Sequence, residues 1–145
     1  MLGQQIVLGS AAVLVVVVFH AAALTALVAA LRHGGKQLRH RPQLPRVGLL
    51  LTGGILAVVA AHVVEITAWA ALFVYLGEFS DMRTALYFSG VTATSLGYGD
   101  IVLSQDWRLL SVFEVMSGLI LFGASAAFLF ALVQKLVQSV AEPSS

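Results

Sequence analysis

Thr92-Ala93-Thr94-Ser95-Leu96-Gly97-Tyr98-Gly99-Asp100 decides how the rest of the chain is read. Two glycines separated by one aromatic residue make neither a good helix nor a good strand, because glycine supplies backbone angles that side-chain-bearing residues avoid. Such a run bends. The chain around it is strongly apolar, and backbone at membrane depth keeps an irregular path only where it lines a water-filled or ion-filled route. Its unbonded groups then find their partner in an ion.

Composition places the stretch in a membrane protein. Of 145 residues, 59% are hydrophobic and 10% charged, against a charged share of about 25% in soluble domains. The net charge of +1 and the absence of a basic face interleaved with aromatics exclude nucleic acid as a partner. With no cysteine, disulfides, thiolate chemistry and cysteine metal sites are excluded too. No nucleophile and base stand at usable spacing, so the chain is read as no enzyme, with no cofactor and no small-molecule substrate. No inverted repeat suggests a transporter.

The residues of the opening stretch resemble the filter of the potassium channels, Thr-Val-Gly-Tyr-Gly followed by Asp, in which carbonyl oxygens replace the ion's hydration shell. By position the family's Thr corresponds to Ser95 and its Val to Leu96, while Gly97, Tyr98, Gly99 and Asp100 match. Ser95 keeps the hydroxyl of the innermost ion site, and Leu96 changes only a side chain whose backbone carbonyl is the ligand. The resemblance implies K+ held at Ser95, Leu96, Gly97, Tyr98 and Gly99. It implies filter support from Thr92, Thr94, Tyr87, Asp100 and Glu114. Tyr87 and Phe88 stand where many members carry two adjacent Trp residues; Tyr87 retains a donor, aimed at Asp100, and Phe88 does not.

Outward from the filter, about 20 apolar residues suffice to cross a bilayer as a helix. Ile6 to Leu31 is one such run, and residues 1–31 are assigned to an additional N-terminal transmembrane helix. Met1 to Gln5 carry no Lys or Arg and the run is too long for a signal core, so it is expected to be retained. It holds no repeated arginines to act as a voltage sensor. His20 within it is read as a packed or hydrogen-bonded neutral imidazole. Residues 32–46 form a basic loop with Arg32, Lys36, Arg39, Arg41 and Arg46, cytoplasmic by the positive-inside rule. Its partner is water or, alternatively, anionic lipid.

Residues 47–140 are assigned to the pore domain: outer helix 47–77, pore helix 82–94, filter 95–99 and inner helix 107–140, followed by a short cytoplasmic tail, 141–145. His62 and Glu65 lie three residues apart on one face of the outer helix near mid-bilayer. They are either a structural pair, with Glu65 bonded to His62 or to a hydroxyl on a neighbouring helix, or a proton-sensitive gating pair. Trp69, Phe73 and Tyr75 fit an interfacial aromatic belt. Ser80 and Asp81 are good N-caps for the short pore helix, whose C-terminal carbonyls favour a cation below the filter. Glu78, Asp81, Asp100 and Asp106 are outer acids, offset there by Arg83 and Arg108; Glu78 and Asp106 are read as ordinary loop charge. Glu114 is expected behind the filter, steadying it by hydrogen bonds. Gly118 is a candidate gating hinge by the resemblance, with Gly123 as a second, and both glycines equally suit close helix packing. Gly118, Phe122, Ala126 and Phe130 form one stripe, either a cavity lining or a packing seam.

The expected fold is therefore an all-α membrane protein with three transmembrane helices, a re-entrant pore helix and a filter, assembled as a fourfold homotetramer in the lipid bilayer of a cell membrane. Its N-terminus is outside and its C-terminus cytoplasmic. The function implied is passive, potassium-selective conduction. Weakly selective cation conduction and a non-conducting, channel-modifying subunit are the alternatives.

Overall fold

The computed structural model describes residues 2–36 and 44–141. Arg39 and Arg41, in the part of the basic loop expected to meet anionic lipid, and the tail residues 142–145 lie outside the described residues. Four helices follow in order: α1 (Leu2–Lys36), α2 (Leu44–Tyr75), α3 (Met82–Ala93) and α4 (Leu109–Ala141). Among the described residues there is no strand.

Length separates the helices into two kinds. Stretches Leu2–Arg32, Val47–Tyr75 and Leu109–Gln138 are long and apolar enough to cross a membrane. The 12 residues of α3 rise only about 18 Å at 1.5 Å each and cannot. The protein is thus a multi-pass, all-helical membrane protein with one half-length helix.

Local chemistry sets the helix ends. Pro45 stands in the first turn of α2, where its missing N–H costs nothing. At the other end, Gly77 adopts φ 77, its N–H donates to the Val74 carbonyl at 3.0 Å and the Glu78 N–H to the Phe73 carbonyl at 3.0 Å. That pair is the Schellman closure, which needs a left-handed residue at this position. Asp81 then caps α3, its carboxylate accepting the Thr84 N–H at 2.9 Å. This bond holds the Asp81 carboxyl below its ordinary value of 3.8.

The core lies behind the half-helix. Val16, Trp69, Phe73, Phe88, Leu103, Leu110 and Leu121 form one buried cluster, with Phe73 and Phe88 edge to face at 5.3 Å between centroids. Trp69 and Phe73 were expected at the lipid interface. They are instead 3% and 0% exposed, because α3 folds back against α2 at that depth and covers them. Tyr75, at 86% exposure, alone of the three faces outward. α1 packs on α4 and on α2, so the first helix is part of the same body. Gln5 joins them near one end, its Oε1 accepting the Leu109 N–H at 3.1 Å.

Candidate functional site: the filter and its supports

Immediately after α3 the sign of φ alternates. Ser95, Gly97 and Gly99 take φ of 55, 55 and 74, while Leu96 and Tyr98 do not enter the positive region. Alternating hands turn successive N–H groups to one side of the backbone and carbonyls to the other. The amide side is secured by the half-helix: Ser95 N–H donates to Thr92 O at 2.8 Å, and the Leu96 and Gly97 N–H groups both donate to Val91 O at 3.0 and 3.2 Å. Among the described residues, no hydrogen bond ends on a carbonyl from Ser95 to Gly99. The result is a row of bare oxygens whose Ser95, Leu96 and Gly97 amides are held by α3, a polar backbone unsuited to lipid. Among the described residues Ser95 is the one non-glycine with positive φ, a conformation that costs free energy and persists only where the surrounding structure imposes it.

Two polar ties fix the far end of this row. Tyr87 of α3 donates its hydroxyl hydrogen to Asp100 Oδ2 at 2.7 Å, linking the helix to the residue that leaves the filter. The same bond raises the Tyr87 phenol above its ordinary 10.0. Phe88, its neighbour, makes no polar contribution and fills the aromatic core instead. Glu78 makes the second tie, with Oε2 accepting the Ser104 N–H and Oε1 the Ser104 hydroxyl, both at 2.7 Å. Read from sequence as ordinary loop charge, Glu78 is a clamp between the loop before α3 and the loop after the filter. Nothing in the order of residues signals a partner 26 positions away. Thr94 bonds back to the Gly90 carbonyl at 2.7 Å, finishing the half-helix.

Glu114 and Gly118 of α4 meet the half-helix from behind. Glu114 is 0% exposed, as is Ser89 of α3, whose hydroxyl is the polar group that bears on it. Neither Glu114 oxygen, nor the Ser89 hydroxyl, makes a hydrogen bond of good geometry. The expected bonds from Glu114 to the pore helix are therefore not formed among the described residues. At Gly118 a Cβ would stand 2.2 Å from the Ala93 carbonyl oxygen, whereas one at Gly123 would meet nothing within 4 Å. Gly118 thus serves close packing of α4 on the end of α3. α4 is continuous through both glycines.

A separate polar cluster joins the first helix to the other two. Glu65 Oε1 lies 2.7 Å from His20 Nδ1, and Oε2 lies 2.9 Å from His62 Nδ1. Ser125 of α4 closes a ring, its Oγ 3.0 Å from His62 Nε2 and 3.2 Å from His20 Nε2. All four residues are buried, and Phe122 lies against the His62 ring, centroids 4.2 Å apart. The stripe through Gly118 and Phe122 is in this part a packing seam. Sequence spacing identified His62 and Glu65 but missed Ser125 and gave His20 no partner, since only the α1–α2–α4 contact brings them together. The one available signal was a histidine and a serine in otherwise apolar spans.

Comparison with known proteins agrees with this geometry. Residues 60–135 match the family described as ion channel, just over half of the chain. A segment of 68 residues is 34% identical to the voltage-gated potassium channel Kch of Escherichia coli strain K12, covering 44% of this chain and 16% of that protein. The chain thus spans about one sixth of the length of that relative. No solved structure matches it. With a matching family pattern laid over α2 to α4 and a filter of free carbonyls between them, the chain belongs to the ion channel family, with a pore of the potassium-channel kind.

Proposed function

We propose that the protein is a potassium-selective channel in which K+ is the permeant ion and the carbonyls of Ser95, Leu96, Gly97 and Tyr98, with Gly99 at the outer end, are its ligands. The observation that carries this reading is the alternating φ at Ser95, Gly97 and Gly99, with the amides of Ser95, Leu96 and Gly97 tied to α3 and the carbonyls of the row unbonded among the described residues. A carbonyl row of this kind replaces a hydration shell only if several strands converge on one axis, so the working unit is a homotetramer. Its open surfaces support that arrangement. Leu96 and Tyr98 are 54% and 67% exposed in the single chain, and a groove runs between Ser95, Gly97, Gly99 and the start of α4 at Ser111 and Val115. Polar filter backbone cannot face lipid, so other copies cover it.

The orientation follows from charge. With the basic loop on the cytoplasmic side, the N-terminus and the filter mouth are outside and the C-terminus is inside. Reconstitution of the purified protein into planar bilayers with opposed K+ and Na+ gradients tests the reading. A reversal potential that follows the K+ gradient, together with a native mass of four chains, is the expected result. A reversal potential near zero under those gradients establishes weak selectivity instead, and absence of current from a monomeric protein overturns conduction altogether.

A further inference from the structure

The ring of His20, Glu65, His62 and Ser125 holds four hydrogen bonds, and a count of its protons shows what it lacks. An ionised carboxylate only accepts, so both imidazoles present Nδ1–H to Glu65. Each Nε2 then carries a lone pair, and the single Ser125 hydrogen can satisfy only one of them. Filling all four bonds requires one additional proton in the ring. The cluster is built around one missing positive charge.

We propose that His20, His62 and Glu65 bind a divalent transition-metal ion of the zinc class, with Ser125 fixing the two imidazoles. Two imidazoles and one carboxylate are a ligand set that such ions take in sites keeping an open position. One donor atom from each of the three residues lies within 4.8 Å of the others. Bonds of about 2.0–2.1 Å in tetrahedral geometry place ligand atoms about 3.3 Å apart. The Glu65 contacts at 2.7 and 2.9 Å therefore open slightly to admit the ion.

Ser125 makes the strongest geometric argument. With both Nδ1 atoms on the metal, both imidazoles are the Nε2–H tautomer, and each donates to Ser125 Oγ, which has two lone pairs to receive them. The serine hydrogen turns to the carbonyl four residues earlier, a usual partner for a helical serine. The mismatch at Nε2 disappears without the extra proton. A small cavity with room for about one water runs along His62 and Glu65 to Ala93 and Gly118, leaving space for a water to complete the fourth position. Bound here, the ion ties α1 to α2 and α4 beside the end of the half-helix that carries the filter.

Co2+ titration of the chelator-stripped full-length protein tests this, with His33→Gln and His40→Gln removing the chain's other two histidines. One Co2+ per chain is expected, with the intense visible absorption of four-coordinate cobalt. Ser125→Ala, which leaves every ligand in place, is expected to weaken binding about 10- to 100-fold, and His20→Gln to abolish the absorption. Weak six-coordinate absorption or unchanged affinity in Ser125→Ala overturns the proposal. Because the titration is read in solution, its result does not depend on whether the channel conducts.

Discussion

Replacing Gly118 with alanine asks whether this glycine is a place to bend or a place to touch. The added methyl carbon would stand 2.2 Å from the Ala93 oxygen, 3.0 Å from its carbonyl carbon and 3.1 Å from its Cα. An ordinary carbon–oxygen contact is about 3.3 Å or more, so α4 must retreat by about 1 Å from the residue that ends α3. No flexible side chain is there to yield; the obstacle is backbone. Overpacking of this kind costs about 1–3 kcal/mol, partly offset by about 1 kcal/mol of improved helix propensity. The net loss is up to about 2 kcal/mol. Gly123→Ala has the same propensity gain and no clash, and is expected to stabilise by up to about 1 kcal/mol. At roughly 3 °C per kcal/mol for a chain of this size, Gly118→Ala melts several degrees below wild type and Gly123→Ala slightly above it, followed by far-UV circular dichroism in detergent. Because Ala93 lies two residues before Ser95, Gly118→Ala also disturbs the filter and shifts the K+/Na+ reversal potential. Equal melting of Gly118→Ala and Gly123→Ala refutes the packing argument.

Other substitutions probe the supports one at a time. Glu114→Leu removes a fully buried carboxyl whose oxygens lack partners; it is expected to raise thermal stability by about 1–3 kcal/mol, and a loss of that size would show that Glu114 has a partner in the assembled protein. Glu78→Ala cuts both bonds to Ser104 and is expected to speed hydrogen exchange at the Ser104 amide while leaving the α1 amides unchanged. Tyr87→Phe removes the bond to Asp100 and is expected to lower selectivity for K+ over Na+ in bilayer recordings. The Tyr87 bond raises the phenol above 10.0, so the stability it contributes is complete below pH 10.0 and is lost as pH rises through the folded value. Phenolate absorbance during an alkaline titration, compared with that of the Tyr87→Phe variant, reads it directly. For Asp81 the sign is opposite: its carboxyl is held below 3.8, so its cap stabilises α3 above that pH and is lost as acid carries it through the lower folded value. Asp81→Ala is expected to flatten that part of an acid-melting curve.

Much of the architecture is a local property and was readable from residue order. Apolar length alone marks three spans and one helix too short to cross. Glycine at 97 and 99 permits the positive φ that a carbonyl row demands, and Asp81 declares the start of α3 through its own side chain. The Tyr87 bond to Asp100 was legible only through the resemblance to the potassium channels, in which the Tyr87 position carries a donor beside the filter.

What residue order left undecided depends on how helices rotate and cross. His20 meets Glu65 across 45 positions and Ser125 across 105, and no periodicity within one helix encodes which face a second helix will cover. The same reason separates Trp69 and Phe73 from the lipid interface, turns Glu78 from a surface charge into a clamp and makes Gly118 a contact with Ala93. Spans and filter belong to the sequence because their physics is confined to neighbours along the chain. The buried ring and the close crossing belong to the tertiary structure, because their free energy exists only once three helices share one depth.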